Sequence, residues 1–366
     1  MQSPMRRIRG IVAAAVAGLT MAVSTPVIAQ DVSFSGKTVE FWVPFSEGGG
    51  ADVWARFLAP YLSRHLDGNP NVIIRNVPGG GSITGTNEFA FRARPNGLQI
   101  LGTSGSTQFP FLLGDKRVRY DYADFTPVLV SPTGGVVYIP GNLGVKDASE
   151  LGAIKDKELV YASQGATSLD LVPMLAFEVL GLNVRHVFGM TGRGDGRLAF
   201  ERGEATIDYQ TTSAYLTNVV PLVEAGTAVP LFSYGVLNSE GEIVRDPSFP
   251  DIPHFVEAYE MLHGEKPSGL AFDAYKAFFI AGFAAQKPAV LPKGTPDHIV
   301  KAYRDAFAAA AADPELVASA GEILGEYQQA VGDDVDTLYK VGTTIDPEAR
   351  EWVRNYLRER HRVTLD

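Results

Sequence analysis

Short runs of β-branched and aromatic residues alternate along the chain with longer stretches in which apolar residues recur at helical spacing. The first pair is a predicted strand at residues 38–45 and a predicted helix at residues 52–65, where Val53, Phe57 and Tyr61 repeat every fourth position. Alternation of this kind is typical of α/β proteins, in which helices join the strands of a parallel sheet. The pattern therefore predicts an α/β fold.

The same alternation continues towards the C-terminus. Further strands are predicted at residues 71–76, 99–103, 136–139, 159–162, 184–187, 206–210, 229–234 and 275–283. Further helices are predicted at residues 82–92, 170–180, 196–202, 213–224, 296–312, 314–320 and 333–360. Two successive α/β blocks with a helical tail predict two lobes, each a mainly parallel sheet flanked by helices, and a ligand cleft between the lobes.

The N-terminal segment, residues 1–29, has the pattern of an export signal peptide. Three arginines precede an apolar segment at residues 11–23, and small residues follow it as a cleavage site. The apolar segment is shorter than the roughly 20 residues that cross a bilayer as a helix. In the mature chain we assign residues 30–127 and 237–366 to lobe 1, including the C-terminal helices, and residues 128–236 to lobe 2.

The composition argues against several classes of partner. The 366-residue chain has a net charge of −10 at pH 7, and loss of a signal peptide with three arginines makes the mature chain more acidic. This charge argues against binding to nucleic acid or to anionic membrane surfaces. The chain has no cysteine, so its core must be stable without disulfide bonds. These features predict a soluble protein of the bacterial periplasm.

Four loops that follow predicted strands are rich in glycine, serine and threonine: residues 45–52, 102–107, 162–168 and 207–213. Strand-to-helix turns of this composition direct backbone N–H groups at open space, and helix N-termini favour anions. Each oxygen of a carboxylate accepts about two hydrogen bonds, so convergent donors suit a small organic acid. The residues of the first three loops predicted to bind a ligand are Phe45, Ser46, Gly48, Gly49, Asp52, Thr103, Ser104, Gly105, Ser106, Ser163, Gln164, Gly165, Ala166, Thr167 and Ser168. The third loop opens a helix whose predicted cap is Asp170 or Ser168.

Two charged residues complete the predicted ligand-binding set. Arg193 has two interpretations, a bidentate partner of a carboxylate in the cleft or a solvated charge, and the same alternatives apply to Arg197. Asp208, in the fourth loop, would repel an anion. Its carboxylate would instead cap a helix, orient a bound water, or accept a hydrogen bond from an ammonium or hydroxyl group.

Motifs for catalysis are absent from the sequence. There is no G-x-S-x-G elbow, no H-E-x-x-H pair and no phosphate-binding loop that ends in Gly-Lys-Ser/Thr. The histidines are scattered without ligand spacing, which argues against a metal site. We therefore predict a binding protein without catalytic residues, cofactor or metal. A secreted enzyme acting on an acid, with Asp208 or Glu47 as base, and a sensor that presents a ligand to a membrane kinase are the alternatives.

An ordered set of short motifs extends over almost the whole mature chain. They are Val43-Pro44-Phe45, Gly48-Gly49 with Asp52, Asn76-Val77-Pro78-Gly79-Gly80-Gly81, Pro95-Asn96-Gly97, Gly102-Thr103-Ser104-Gly105, Tyr120-Asp121, Phe125-Thr126-Pro127-Val128, Tyr161-Ala162-Ser163 with Gly165, Gly203-Glu204 with Ile207-Asp208, and Pro292-Lys293-Gly294-Thr295-Pro296. In this order the motifs resemble the substrate-binding receptors of tripartite tricarboxylate transporters.

The resemblance implies a two-lobed periplasmic receptor that closes over a small carboxylate by a hinge motion. It implies an anion-binding cradle at residues 45–52, 103–106 and 163–168, with Asp208 at the acidic position that faces the ligand. It also implies a large and a small integral-membrane subunit as partners, and we expect the receptor itself to be a monomer.

One segment departs from the family pattern. The family's His-Val-Pro-Tyr-Lys-Gly stretch is replaced by His186-Val187-Phe188-Gly189-Met190-Thr191, and the segment that follows, residues 194–197, is longer. The ligand class therefore stays open among tricarboxylates, dicarboxylates, acidic amino acids and aromatic acids.

Overall fold

Strands and helices alternate through residues 32–48, 50–190, 192–238 and 240–365, which the computed structural model describes. The strands are β1 (Thr38–Val43), β2 (Asn71–Asn76), β3 (Gln99–Gly102), β4 (Thr126–Ser131), β5 (Gly135–Pro140), β6 (Leu159–Ser163), β7 (Val184–Phe188), β8 (Asp208–Thr211), β9 (Ala228–Ser233), β10 (Val236–Leu237), β11 (Ile243–Val244) and β12 (Lys287–Leu291). The helices are α1 (Gly50–His65), α2 (Ile83–Arg92), α3 (Gly105–Leu113), α4 (Leu171–Leu180), α5 (Arg193–Glu201), α6 (Thr212–Asn218), α7 (Val220–Glu224), α8 (Phe255–His263), α9 (Leu270–Phe279), α10 (Asp297–Ala311), α11 (Pro314–Ile323), α12 (Asp334–Thr343) and α13 (Pro347–His361). The predicted signal peptide, residues 1–29, lies outside the described residues.

The first sheet has the strand order β2-β1-β3-β12-β4. Strand β1 is parallel to β2 and β3, whereas β12 is antiparallel to both of its neighbours. Helices α1 and α10 cover one face, where Phe41 and Trp54 are buried, and α2 and α12 cover the other around Trp42 and Phe89. Because β1 and β3 run in the same direction, the loops that follow them lie at the same edge of the sheet.

The second half of the fold contains a three-stranded sheet, β8-β5-β9, and a parallel pair, β6-β7. Strand β5 is antiparallel to both neighbours, so this sheet differs from the mainly parallel pairing that we predict. Helical crossovers give β8 and β9 the same direction, and β5 is inserted between them from an earlier part of the chain. The local pattern indicates crossovers, but it does not indicate which distant strand is inserted.

The segment at residues 275–283 is helical, so the strand predicted there is wrong. It forms the end of α9 and a π-helical turn, Ile280–Ala284. Tyr275, Phe278 and Phe279 are completely buried, and after Lys276 no polar side chain interrupts the run. A short apolar run does not distinguish a buried helix from a strand. The strand of this region is β12, a few residues later.

Three further features complete the fold. The predicted helix at 333–360 is two helices, α12 and α13, because Pro347 takes the first position of α13 and Asp346 caps it. Helix α9 packs against α4 and α13. Within the described chain, no helix has both the length and the apolar character needed to cross a membrane. The lobe boundaries stay predictions.

Candidate functional site

The first predicted loop is organised by the carboxylate of Asp52. Its oxygens accept hydrogen bonds from the Gly48 N–H at 2.8 Å, from Asn76 Nδ2 at 2.9 Å and from Arg56 Nε at 2.9 Å. Burial alone would raise the pKa of Asp52, but these donors outweigh it, and the pKa is lowered. Asp52 therefore stays ionised and holds the turn at the start of α1.

Around that carboxylate the loop faces solvent. Ser46 and Gly48 are exposed and Phe45 is half-buried. Gly49 lies outside the described residues. The acceptors of Asp52 are satisfied within the chain, so this residue shapes the loop, and the contact of the loop with a ligand stays a prediction.

The second loop caps α3. Ser104 Oγ accepts a hydrogen bond from the Ser106 N–H at 3.3 Å, and the Ser104 N–H donates to Thr107 Oγ1 at 3.4 Å. This reciprocal pair satisfies two backbone donors and fixes the helix start. Thr103, Ser104 and Gly105 are buried, whereas Ser106 is partly exposed.

The third loop is held by the completely buried carboxylate of Asp170. Asp170 Oδ2 accepts hydrogen bonds from Ser163 Oγ at 3.0 Å and from the Gln164 N–H at 2.7 Å. Asp170 is the N-cap residue of α4, as predicted, but its side chain makes no capping bond, and Ser168 Oγ accepts a hydrogen bond from the Asp170 N–H at 3.3 Å. Asp170 is a central residue of the site whose partners the sequence does not indicate.

Two backbone donors of the third loop are open. The Gln164 and Gly165 N–H groups are used by Asp170 and by Ser163 Oγ. The N–H groups of Ala166 and Thr167 donate to no other residue in the described part of the chain. Two adjacent free N–H groups next to the start of a helix form a favourable position for an anion.

The second and third loops are in direct contact. The Leu169 N–H donates to Ser106 Oγ at 3.1 Å. A Cβ atom added at Gly105 would lie 2.9 Å from Leu169 Cδ1 and 3.0 Å from Gly282 Cα. The absence of a side chain at Gly105 therefore allows the starts of α3 and α4 to approach, and two of the predicted loops meet.

We expect Gly105→Ala to lower the free energy of unfolding by about 1–3 kcal/mol, because the added methyl group overpacks this contact. Urea denaturation of the ligand-free protein measures the change. Gly194→Ala is the matched control, because its Cβ would meet no atom within 4 Å and alanine favours a helix. Equal stability of Gly105→Ala and the wild type would contradict the prediction.

Arg193 is enclosed by protein groups, so the solvated interpretation is wrong for this residue. Its side chain is 12% exposed and forms ion pairs with Asp170 at 3.1 Å and with Asp208. Its guanidinium carbon lies 5.1 Å from the ring centre of Tyr161 and 4.6 Å from that of Tyr209. Burial opposes the charge, but the two carboxylates raise the pKa of Arg193 well above its usual value.

Asp208 is completely buried beside Arg193. It accepts hydrogen bonds from the Tyr138 hydroxyl, from Arg193 and from Gln210 Nε2, the last at 3.1 Å. Burial raises the pKa of Asp208, although these three partners act in the opposite direction. Its carboxylate thus accepts hydrogen bonds from groups of the chain itself.

The second predicted arginine, Arg197, forms an ion pair with Glu201 on the same helix.

One donor of Arg193 is unused. Nη1 and Nη2 donate to the carboxylates and to the carbonyl oxygens of Ala162 and Tyr209, at 2.8 and 3.3 Å. The buried Nε has no hydrogen-bond partner among the described residues. The structure therefore brings Arg193 and Asp208 together behind the third loop, and their contact with a ligand stays a prediction.

Comparison with known sequences identifies related proteins. A family model described as "Tripartite tricarboxylate transporter family receptor" matches residues 54–327. The UPF0065 protein in the tcbD-tcbE intergenic region of Pseudomonas sp. (strain P51) is 24% identical over 309 residues, which cover 82% of each chain.

Comparison with solved structures identifies the same architecture. The periplasmic binding protein BugD is 22% identical with a TM-score of 0.60, and the alignment covers 89% of this chain and 98% of that one. MatC from Rhodopseudomonas palustris with bound malate is 20% identical with a TM-score of 0.61, covering 86% and 97%. A second R. palustris protein, with adipate, is 20% identical with a TM-score of 0.62, covering 86% and 94%. The predicted two-lobed α/β fold is confirmed.

Proposed function

We propose, because this chain belongs to the tripartite tricarboxylate transporter receptor family, that it binds a small organic carboxylate and delivers it to integral-membrane transporter subunits. The ligand contacts residues 45–52, 103–106 and 163–168. The receptor acts in the periplasm as a monomer after removal of residues 1–29. The observation that carries the proposal is the pair of open N–H groups at Ala166 and Thr167, beside the capped start of α3.

The hydrogen-bond donors of the proposed site can account for micromolar affinity. Charge-assisted hydrogen bonds contribute roughly 1.5–3 kcal/mol each. Four or five of them account for a dissociation constant near 1 μM, which corresponds to about −8 kcal/mol, after the costs of ordering. The acidic chain supplies no long-range attraction for an anion, so the binding energy must come from hydrogen-bond donors within the site.

Asp170 and Asp208 position these donors. Asp170 holds the third loop by its contacts with Ser163 and Gln164, and Arg193 links it to Asp208. The charge of Arg193 is thereby compensated within the protein. A ligand carboxylate consequently meets neutral N–H and O–H donors at this loop.

Dicarboxylates are the first acids to test. MatC binds malate and the second R. palustris protein binds adipate. We extend this class to the present chain as a proposal, with tricarboxylates, acidic amino acids and aromatic acids in the same panel.

A thermal-shift screen of residues 30–366 against this panel tests the function. A ligand that binds only the native state adds about 2.7 kcal/mol of stability at a hundredfold excess over its dissociation constant. We expect a raised melting temperature with at least one carboxylate and no change with the matched primary alcohols. A folded protein that responds to none of the acids would contradict the proposal, and loss of an acid during incubation would favour the enzyme alternative.

A further inference from the structure

Lys287 lies at the edge of the first sheet that carries the predicted binding loops. It is the first residue of β12 and pairs with Ser131 at the end of β4. On the other side of β12, Ala289 pairs with Gly102, and the Thr103 N–H donates to the Pro288 carbonyl oxygen at 3.0 Å. Continuing this antiparallel register places Lys287 beside Ser104, the capping residue of α3.

The side chain of Lys287 is on the α1 face of the sheet. Cross-strand partners share a face, and Ser131 Oγ accepts a hydrogen bond from Trp54 Nε1 of α1 at 2.9 Å. The loop at residues 45–52 leads into α1 at this edge. Strand β3 separates β12 from β1, so Lys287 lies beside the second binding loop, on the face of the sheet that α1 covers.

Lys287 has no counter-ion in the described chain. Its side chain is largely buried, and burial alone lowers the pKa of Lys287 to about 8, with no carboxylate acting on it. By contrast, the exposed Lys293 pairs with Asp124 at 2.6 Å. An ammonium group that loses part of its hydration without gaining a partner destabilises a folded protein, and groups with perturbed pKa values are concentrated at functional sites.

We infer that the Lys287 ammonium group binds one carboxylate of the ligand, and that the N–H groups of Ala166 and Thr167 bind a second carboxylate. The inference rests on the proposed function and deepens it, because two separate anion positions select dicarboxylates over monocarboxylates. Lys287 is the cation of the site, since the charge of Arg193 is already compensated by Asp170 and Asp208.

Calorimetric titration with malate, adipate and hexanoate tests this role. We expect Lys287→Met to weaken the binding of the dicarboxylate that the wild type binds by at least tenfold, and to reduce its preference for adipate over hexanoate. Lys293→Met is the matched control and should leave both affinities unchanged. We also expect Lys287→Met to raise the melting temperature of the ligand-free protein, because it removes an unpaired and partly desolvated charge. A lysine with only a structural role would have the opposite effect.

The pH dependence of the wild type gives a second readout. A bound carboxylate raises the pKa of the ammonium group, so affinity is constant below pH 8 and falls as the pH rises above it. Lys287→Arg, which stays charged, should bind with an affinity that does not change between pH 7 and pH 9.5. A wild type that binds none of the acids overturns the proposed function. Binding that is unchanged in Lys287→Met, with a flat pH profile in the wild type, overturns only the role of Lys287.

Discussion

Replacing Arg193 by methionine is expected to lower the free energy of unfolding of the ligand-free protein by about 3–5 kcal/mol, because it leaves two buried carboxylates without their cation. Asp170 and Asp208 are both completely buried, and each forms an ion pair with Arg193. Methionine retains most of the buried side-chain volume, so the measured loss reports the charge and not a cavity. Urea denaturation at pH 7 measures the change.

Two variants separate this effect from a general loss of arginine. Arg197→Met removes one partner of an ion pair on the surface of α5 with Glu201, for which about 0.3–0.5 kcal/mol is expected. Asp208→Asn in the Arg193→Met background should recover part of the stability, because it removes one of the two unpaired charges. A loss below 1 kcal/mol in Arg193→Met would show that the buried network does not stabilise the fold.

The elements that the sequence predicts well are those set by local patterning. Strand β2 has the predicted bounds, and α1 begins at Gly50, slightly before its predicted start at Asp52. In both, apolar periodicity and nearby glycine or proline residues determine the bounds. After Lys276, residues 277–283 carry no polar side chain, so this stretch fits a buried strand as well as a buried helix, and it forms part of a helical segment that packs against α4 and α13.

The sequence predicts which loops form the candidate site, but it does not predict the hydrogen bonds and ion pairs that join them. Gly105, Ser106 and the third loop are recognisable from composition, yet the Ser106–Leu169 contact joins residues 63 positions apart. Arg193 reaches Asp170 and Asp208, 23 and 15 positions away. Pairings over such distances depend on the tertiary fold, which is why the charge alone left two interpretations of Arg193.

Acid is expected to destabilise the protein through two histidines in contact, His186 of β7 and His361 at the C-terminal end of α13. The rings of His186 and His361 are in edge contact, with centres 4.9 Å apart, and both line a cavity of about 420 Å³. Burial lowers the pKa of His186 to about 3 and that of His361 to about 4. His186 Nδ1 and His361 Nε2 have no hydrogen-bond partner within the described chain, so protonation would add buried charges without acceptors.

The pH dependence of the free energy of unfolding follows from the difference between the histidine pKa values in the folded and the unfolded chain. Unfolded histidines titrate near pH 6.5, so below that pH the unfolded chain takes up protons that the folded chain does not. Stability is therefore complete above pH 6.5 and is lost as the pH falls towards 4 and 3, by at most about 1.4 kcal/mol per pH unit for each histidine. Both side chains keep some contact with solvent, which makes this an upper limit. Asp208 acts in the opposite direction because its pKa is raised.

Denaturation by urea at pH 7.5, 6.5, 5.5 and 4.5 measures this dependence. The double variant His186→Phe, His361→Phe should lose less stability than the wild type between pH 6.5 and pH 4.5, because phenylalanine at position 186 retains the stacking with Phe177 and Phe188. His298→Gln, at an exposed position, should retain the slope of the wild type. Equal slopes in the wild type and the double variant would assign the acid sensitivity to other groups, whereas a smaller slope in the double variant identifies the contact of α13 with β7 as the acid-sensitive part of the fold.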